Sequence, residues 1–134
     1  LITGLSVKPD ESFIDKVINE NKVNYKINIM HYPDEFDNIK KYNYDLVLAG
    51  HSHNGQIALP VYGAVITPEN AKEYYKPYYK IDNTLFYISS GVGTTKFDYR
   101  FLNKPSFNLY RILKKSTTQE PLHNGEVLGV FIVI

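Results

Sequence analysis

Two histidines two residues apart, in the GHSH segment at residues 50–53, are the clearest sign of chemistry in the sequence. They directly follow the apolar run at 45–49, which predicts a buried strand. A third histidine, His31, ends another strand-like run. Open α/β sheets bind ligands at the carboxyl ends of their strands, and neutral imidazole is a common metal ligand. We therefore treat His31, His51 and His53 as candidate metal ligands.

Each of these histidines also has an interpretation that involves no metal. His51 and His53 could be polar loop residues at a strand end, and His31 could cap a helix. Three histidines can hold a single ion, as three-histidine zinc sites do, but a bridged pair of ions needs further ligands. The fourth histidine, His123, lies in a polar segment and is assigned no role.

The composition limits the classes of protein to consider. A chain of 134 residues is most simply one domain, and a net charge of +1 favours neither nucleic acid nor a membrane surface as a partner. Cysteine is absent, which excludes disulfides and thiolate metal sites. No segment approaches the ~20 apolar residues of a membrane-spanning helix. The chain opens on the strand-like residues LITGL without an initiator Met, so we expect a fragment, an excised domain or a processed product.

The first half of the sequence alternates strand and helix signals. Apolar runs predict strands over 1–6, 25–30 and 45–49. Helices are predicted over 12–21 and 33–41. In the first helix, Phe13, Val17 and Ile18 are expected to share one face. Because helices separate the strands, we expect the strands to be parallel and the fold class to be α/β.

The second half has no helical period. Asn, Gly and Pro interrupt residues 54–82, which predicts loops and short strands there. Strands are expected again at 85–89 and 107–113, with a glycine turn at 91–93 between them. The apolar segment 127–134 is strand-like. It could be an added edge strand, the start of a longer structure or a non-native extension.

Four further features allow more than one interpretation. Asp34 is expected in the first turn of its helix rather than on a metal. Arg100 could clamp a phosphate or form a structural ion pair. The tyrosines and lysines of 72–80 could bind a base or a phosphate, but a half-buried hairpin covered by lysine stems is favoured. The 91–93 turn lacks the Gly-Lys-Ser/Thr ending of a phosphate loop, although it could line a cleft.

Several segments match one family in order and spacing: HYPD at 31–34, DLVLAGHSHNGQ at 45–56, the Leu59-Pro60 pair, LFYISSGVG at 85–93, Arg100-Phe101 and Pro105. Together they resemble the C-terminal half of calcineurin-like metallophosphoesterases. The resemblance is greatest to a bacterial subgroup that carries a Gly-His-Thr-His-Gly-Gly-Gln motif. It runs from about residue 1 to residue 113.

The resemblance implies a two-metal phosphohydrolase that forms part of a four-layer α/β/β/α sandwich with mixed sheets. By analogy with the family, His31 and His51 would bind one ion and His53 the other, the metals being Mn, Fe or Zn. The family's remaining ligands belong to an N-terminal half with Asp-x-His, Gly-Asp-x-x-Asp and Gly-Asn-His-Asp/Glu motifs, none of which occurs in this sequence. Asn54 stands where the family usually has glycine.

We therefore expect residues 1–113 to be the C-terminal half of a metallophosphoesterase domain and 114–134 to be a polar tail with a short apolar end. This half would bind at most one ion, be inactive alone, and form a homodimer that covers its exposed sheet. The substrate would be a phosphorylated small molecule or a lipid-linked phosphate, without nucleic acid. The expected location is cytoplasmic or membrane-associated in a bacterium. The alternative is a non-catalytic metal-binding or interaction module.

Overall fold

The structure is a computed structural model that describes residues 1–5, 10–94, 98–112 and 131–133. Its strands are β1 (Ile2–Gly4), β2 (Ile27–Ile29), β3 (Leu46–Ala49), β4 (Ala58–Leu59), β5 (Gly63–Ala64), β6 (Tyr78–Ile81), β7 (Thr84–Ile88), β8 (Leu109–Arg111) and β9 (Phe131–Val133). Its α-helices are α1 (Glu11–Glu20) and α2 (Phe36–Ile39). Short 3-10 turns lie at Pro33–Glu35, Lys40–Tyr42 and His53–Gly55. The chain thus combines a few short helices with several short strands, as the predicted α/β class requires.

The main sheet has five strands in the order β1-β2-β3-β7-β6. β1, β2 and β3 are mutually parallel, as predicted. β7 is also parallel to β3, and β6 runs antiparallel to β7, so the sheet is mixed. Ile29 pairs with Leu48, and Ala49 pairs with Ile88. The carboxyl ends of β2, β3 and β7 therefore meet at one edge, where the loops that carry His31 and the GHSH segment begin.

Helix α1 begins where the sequence supplies a capping residue. The side chain of Asp10 accepts hydrogen bonds from the backbone N–H groups of Ser12 and Phe13. The predicted apolar face is wrong at Phe13, which is 62% exposed. Ile14 is buried instead and packs with Ile18 against the core, because residues four apart lie on one side of a helix.

The core covers both faces of the sheet. On the helix side it contains Ile14, Met30, Phe36, Ile39, Tyr42, Tyr44, Val47, Ala49, Phe86 and Ile88. On the other side Ile27, Leu46 and Leu48 are buried against Tyr87, Tyr110 and neighbouring residues. Because both faces of β2 are covered, the neighbouring residues Ile27 and Asn28 are both buried. The amide of Asn28 donates to Thr3 Oγ1 at 2.9 Å. Tyr25, predicted in this strand, lies outside it and is exposed.

The tyrosine-rich segment forms the hairpin that the sequence favoured. β6 pairs with β7, and the ring of Tyr79 lies 5.9 Å from that of Phe86. Tyr79 Oη accepts the N–H groups of Tyr75 and Lys76 at 2.9 Å each. Burial, followed by a hydrogen bond to Asp37, raises the pKa of Tyr74 to about 12. Tyr74 and Tyr79 thus pack against the core.

The C-terminal segment is described only in part. Its residues 131–133 form β9, which pairs antiparallel with β8. The predicted strand over 107–113 is shorter than expected and covers three residues. The polar tail predicted from 114 onwards lies, up to residue 130, outside the described residues. In the described part of the chain, no helix has the length and apolar character needed to cross a membrane.

Candidate metal centre

The loop that follows β3 is held in an unusual backbone conformation. Positive φ angles occur at His51 (64°), His53 (47°), Asn54 (50°) and Gln56 (49°). Non-glycine residues in this region carry local strain and concentrate at functional sites. Asparagine tolerates the left-handed conformation better than most residues, which suits Asn54 to its place in this loop.

Buried polar side chains compensate this strain. Ser52 is 1% exposed, and its Oγ accepts the N–H of Asn54 at 3.1 Å. The amide of Asn103, also buried, donates to the carbonyl of His53. Gln56 Nε2 donates to the carbonyl of Tyr99 at 2.8 Å. Sequence reasoning missed Ser52 and Asn103 as supports, since neither Ser nor Asn at these positions forms a recognisable pattern.

The three predicted ligands border one small cavity. His31, which follows β2, and His51 and His53, which follow β3, line a space of about 180 Å³. The ring centroids of His31 and His51 are 4.8 Å apart. The rest of the wall consists of Gly50, Ser89, Ser90 and Gly91. The parallel strands thus bring together side chains that are twenty or more residues apart in sequence.

A hydrogen bond to the backbone holds His51 through one of its two ring nitrogens. Its Nε2 lies 2.8 Å from the carbonyl oxygen of Glu69. Because a carbonyl only accepts, Nε2 carries the proton, and the neutral ring keeps its lone pair on Nδ1. Tyr32 packs edge-on against the same ring at 4.6 Å. A histidine held by a backbone carbonyl through one nitrogen is the usual arrangement of a metal ligand.

His53 is held differently. Arg100 Nη2 lies 3.0 Å from His53 Nδ1 and also donates to the carbonyls of Ser90 and Gly91. A guanidinium only donates, so Nδ1 is the acceptor and the proton of the neutral ring is on Nε2. A metal on Nδ1 would replace Arg100, and a metal on Nε2 would require a proton on Nδ1. Metal binding by His53 and this hydrogen bond therefore exclude each other.

Only part of the set of three histidines is arranged to bind a metal ion. Burial lowers the pKa of His31, with a smaller effect of His51. Burial and then the charge of Arg100 lower the pKa of His53. Both shifts favour the neutral ring that binds metal. Within the described residues, however, no three His, Asp or Glu side chains are arranged so that they could hold an ion together. His31 and His51 fit as a pair, whereas His53 needs Arg100 to move.

These shifts predict how the stability of the metal-free protein depends on pH. Histidines in the unfolded chain take up protons near pH 6.5, whereas His31 and His53 in the folded state do so only at lower pH. The unfolded state is therefore favoured increasingly as the pH falls below about 6.5. With chelator present, we expect the urea midpoint to fall more between pH 7 and pH 5 in the wild type than in a His31→Gln/His53→Gln variant. Equal slopes would contradict the shifts.

A larger cleft of about 570 Å³ adjoins the histidine cavity, and His51 and His53 line both. One of its walls is apolar and includes Ile57, Ile66 and Pro68. Polar groups from Tyr32, Ser52, Gln56, Thr67, Glu69, Asn70 and Lys72 complete the lining. A ligand in this cleft would lie directly beside the proposed metal ligands.

The structure also decides between alternatives left open by the sequence. Asp34 lies in the first turn after β2, and its carboxylate accepts backbone N–H groups rather than facing the histidine cavity. Arg100 contacts backbone carbonyls and His53, so the structural ion pair, one of its two alternatives, is not formed among the described residues. Gly91 forms a turn with φ 62° and lines the histidine cavity.

Comparison with known proteins gives three relatives. The protein named uncharacterized metallophosphoesterase YkuE, from Bacillus subtilis (strain 168), is 39% identical over 93 residues, which cover 69% of this chain and 32% of that protein. An uncharacterized metallophosphoesterase of Helicobacter pylori (strain ATCC 700392 / 26695) is 32% identical over 106 residues, 77% of this chain and 28% of that protein.

The third relative is the protein named phosphodiesterase YaeI, from Escherichia coli (strain K12). It is 30% identical over 66 residues, 49% of this chain and 24% of that protein. The chain thus spans about a third or less of the length of these curated relatives. No protein-family model and no solved structure matches it. Because relatives of this kind align with half to three quarters of its length, the chain belongs to the calcineurin-like metallophosphoesterase family.

Proposed function

We propose that this chain supplies part of the dinuclear centre of a metal-dependent phosphohydrolase. The observation that carries the proposal is the convergence of His31, His51 and His53 on one cavity at the carboxyl ends of parallel strands. The reaction would be hydrolysis of a phosphomonoester, a phosphodiester or a pyrophosphate. Relatives named metallophosphoesterase and phosphodiesterase support this class of chemistry.

Each histidine has a distinct part in this proposal. His31 and His51 would bind one ion, and His53 would bind the second after Arg100 releases it. The ions, Mn, Fe or Zn, would lower the pKa of a bound water and neutralise the charge that develops on the phosphate. The Glu69 carbonyl holds His51 with its Nδ1 lone pair available. Once Arg100 leaves His53, its guanidinium would be available to a phosphate oxygen near the histidine cavity, whose lining residues Ser90 and Gly91 it contacts.

The proposal also covers the rest of the domain. We infer that the remaining ligands lie outside these 134 residues, because the Asp-x-His and Gly-Asn-His motifs are missing from the sequence. The five-stranded sheet would then be one of two inner layers in a four-layer α/β/β/α sandwich. A homodimer of the isolated half and a phosphorylated small-molecule or lipid-linked substrate, without nucleic acid, belong to the same proposal.

A non-catalytic metal-binding or interaction module is the second candidate function. It is favoured by the hydrogen bond between Arg100 and His53, which leaves only the His31–His51 pair ready to accept an ion. Such a module would bind metal through that pair and hydrolyse nothing. Activity of the full-length protein distinguishes the two candidates.

The test compares the full-length protein with the 134-residue chain on p-nitrophenyl phosphate, bis(p-nitrophenyl) phosphate and inorganic pyrophosphate. We expect turnover by the full-length protein that is lost with chelator and restored by Mn²⁺. We expect no turnover by the 134-residue chain at any metal concentration, because the remaining ligands proposed for the metal pair lie outside it. Metal-independent turnover, or turnover by the short chain that His53→Ala removes, would contradict the proposal. Metal binding by the full-length protein without any turnover would favour the non-catalytic module.

A further inference from the structure

The carboxylate of Asp34 holds a loop that forms one wall of the large cleft. Its Oδ2 accepts the N–H of Lys72 at 2.8 Å, and its Oδ1 accepts those of Glu73 and Tyr74 at 3.1 and 3.0 Å. Three backbone donors on one carboxylate form a set of charge-assisted hydrogen bonds that fix the course of the main chain. We call residues 69–74 the cleft loop.

The cleft loop in turn orients His51. The carbonyl of Glu69, its first residue, accepts the Nε2 proton of the ring at 2.8 Å. Asp34 holds the loop at that end as well, because its own N–H donates to the carbonyl of Asn70 at 3.2 Å. Asp34 thus holds both ends of the cleft loop. Its N–H binds the carbonyl of Asn70, and its carboxylate binds the N–H groups of residues 72–74.

We propose that Asp34 is a positioning residue of the metal centre, which sets the tautomer and orientation of His51 through the cleft loop. The inference rests on the proposed function, since it takes His51 as a metal ligand. Partners that hold the second nitrogen of a ligating histidine fix its tautomer, and their loss costs about 10- to 100-fold in metal affinity or activity. The segment 31–34 therefore contains one proposed ligand, His31, and the residue that positions another, since Asp34 acts on His51.

The first readout needs no metal and no activity. Imidazole ¹⁵N chemical shifts of the metal-free full-length protein report which nitrogen of His51 carries the proton. We expect the Nε2-protonated tautomer in the wild type and a mixture of tautomers in Asp34→Ala. The matched control is Asp37→Asn, because Asp37 accepts from the side-chain hydroxyl of Tyr74 at 3.1 Å and does not hold the backbone of the loop. The control is expected to keep the wild-type tautomer.

The second readout is Co²⁺ affinity, followed by visible absorption. We expect a loss of about 10- to 100-fold in Asp34→Ala and a change within about threefold in Asp37→Asn. If Asp34→Ala does not fold by circular dichroism, Asp34→Asn replaces it, because its carbonyl oxygen can still accept from Glu73 and Tyr74. Asp34→Asn is expected to shift the tautomer of His51 and the Co²⁺ affinity in the same direction as Asp34→Ala, but by a smaller amount.

The outcomes separate this inference from the proposed function. An unchanged tautomer of His51 in a folded Asp34 variant would overturn the inference. A changed tautomer with reduced Co²⁺ affinity supports it. A changed tautomer with unchanged Co²⁺ affinity would support the control of the ring by Asp34 but contradict His51 as a metal ligand.

Discussion

Replacement of His51 by alanine is expected to lower the metal-dependent phosphodiester hydrolysis that we propose for the full-length protein more than about 100-fold. Loss of a group that only supports a ligand already costs 10- to 100-fold, and removal of the ligand itself should cost more. His51 borders both the histidine cavity and the large cleft, and its ring is fixed by Glu69 and Tyr32. Replacing His51 would therefore remove a proposed ligand whose ring is already held in place.

The matched control for this prediction is His123→Ala, which removes the one histidine that the sequence analysis leaves without a role. It should keep activity within about twofold of the wild type. The measurement is the initial rate on bis(p-nitrophenyl) phosphate at saturating Mn²⁺, with circular dichroism to confirm the fold of each variant. A folded His51→Ala protein with more than a tenth of wild-type activity would contradict the role given to this ring.

Replacement of Gly55 by alanine is expected to destabilise the protein by about 3 kcal/mol or more. Gly55 has φ 76°, a region that costs an L-residue about 1–2 kcal/mol. A Cβ at Gly55 would lie 2.2 Å from the Cβ and 2.9 Å from the Cα of Ala64. Because the Cα belongs to the backbone of β5, the overlap cannot be relieved by a change of rotamer. Urea unfolding of the full-length protein gives the free energy of unfolding.

Gly63 provides the matched control. It has the same φ of 76°, but the nearest atom to an added Cβ is the hydroxyl of Tyr75 at 4.0 Å. Gly63→Ala should therefore cost only the backbone term of about 1–2 kcal/mol. Adding Ala64→Gly to Gly55→Ala should restore part of the loss, since it removes the nearer of the two overlapping atoms. Equal losses in the free energy of unfolding of Gly55→Ala and Gly63→Ala would show that the contact with Ala64 does not destabilise the protein.

The position of the candidate site could be predicted because it depends on local pattern and strand order. The apolar run before Gly50 and the run before His31 identify two strands, and the helical signals between them imply a parallel arrangement. Parallel neighbours end at the same edge, so the histidines that follow them must lie close together. A half-buried hairpin is likewise favoured for the tyrosines and lysines of 72–80, and the end of that segment forms β6, which pairs with β7.

The supports of the site could not be predicted, because each joins residues far apart in sequence. Asp34 contacts backbone groups 38 to 40 residues away, and Arg100 contacts His53 across 47 residues. Such contacts depend on loop conformations for which the sequence has no periodic signal. The exposed Phe13 shows the same limit within a helix, since apolar spacing there fits two faces and packing against the core selects Ile14.

The central claim is that His31, His51 and His53 hold metal, and a crystal structure of the full-length protein with Mn²⁺ tests it most directly. Anomalous scattering at the manganese edge locates the ions without assumptions about the ligands. We predict one peak shared by His31 and Nδ1 of His51, a second peak on His53, and Arg100 displaced from the ring of His53. Manganese bound elsewhere, with the hydrogen bond between Arg100 and His53 intact, would contradict the account.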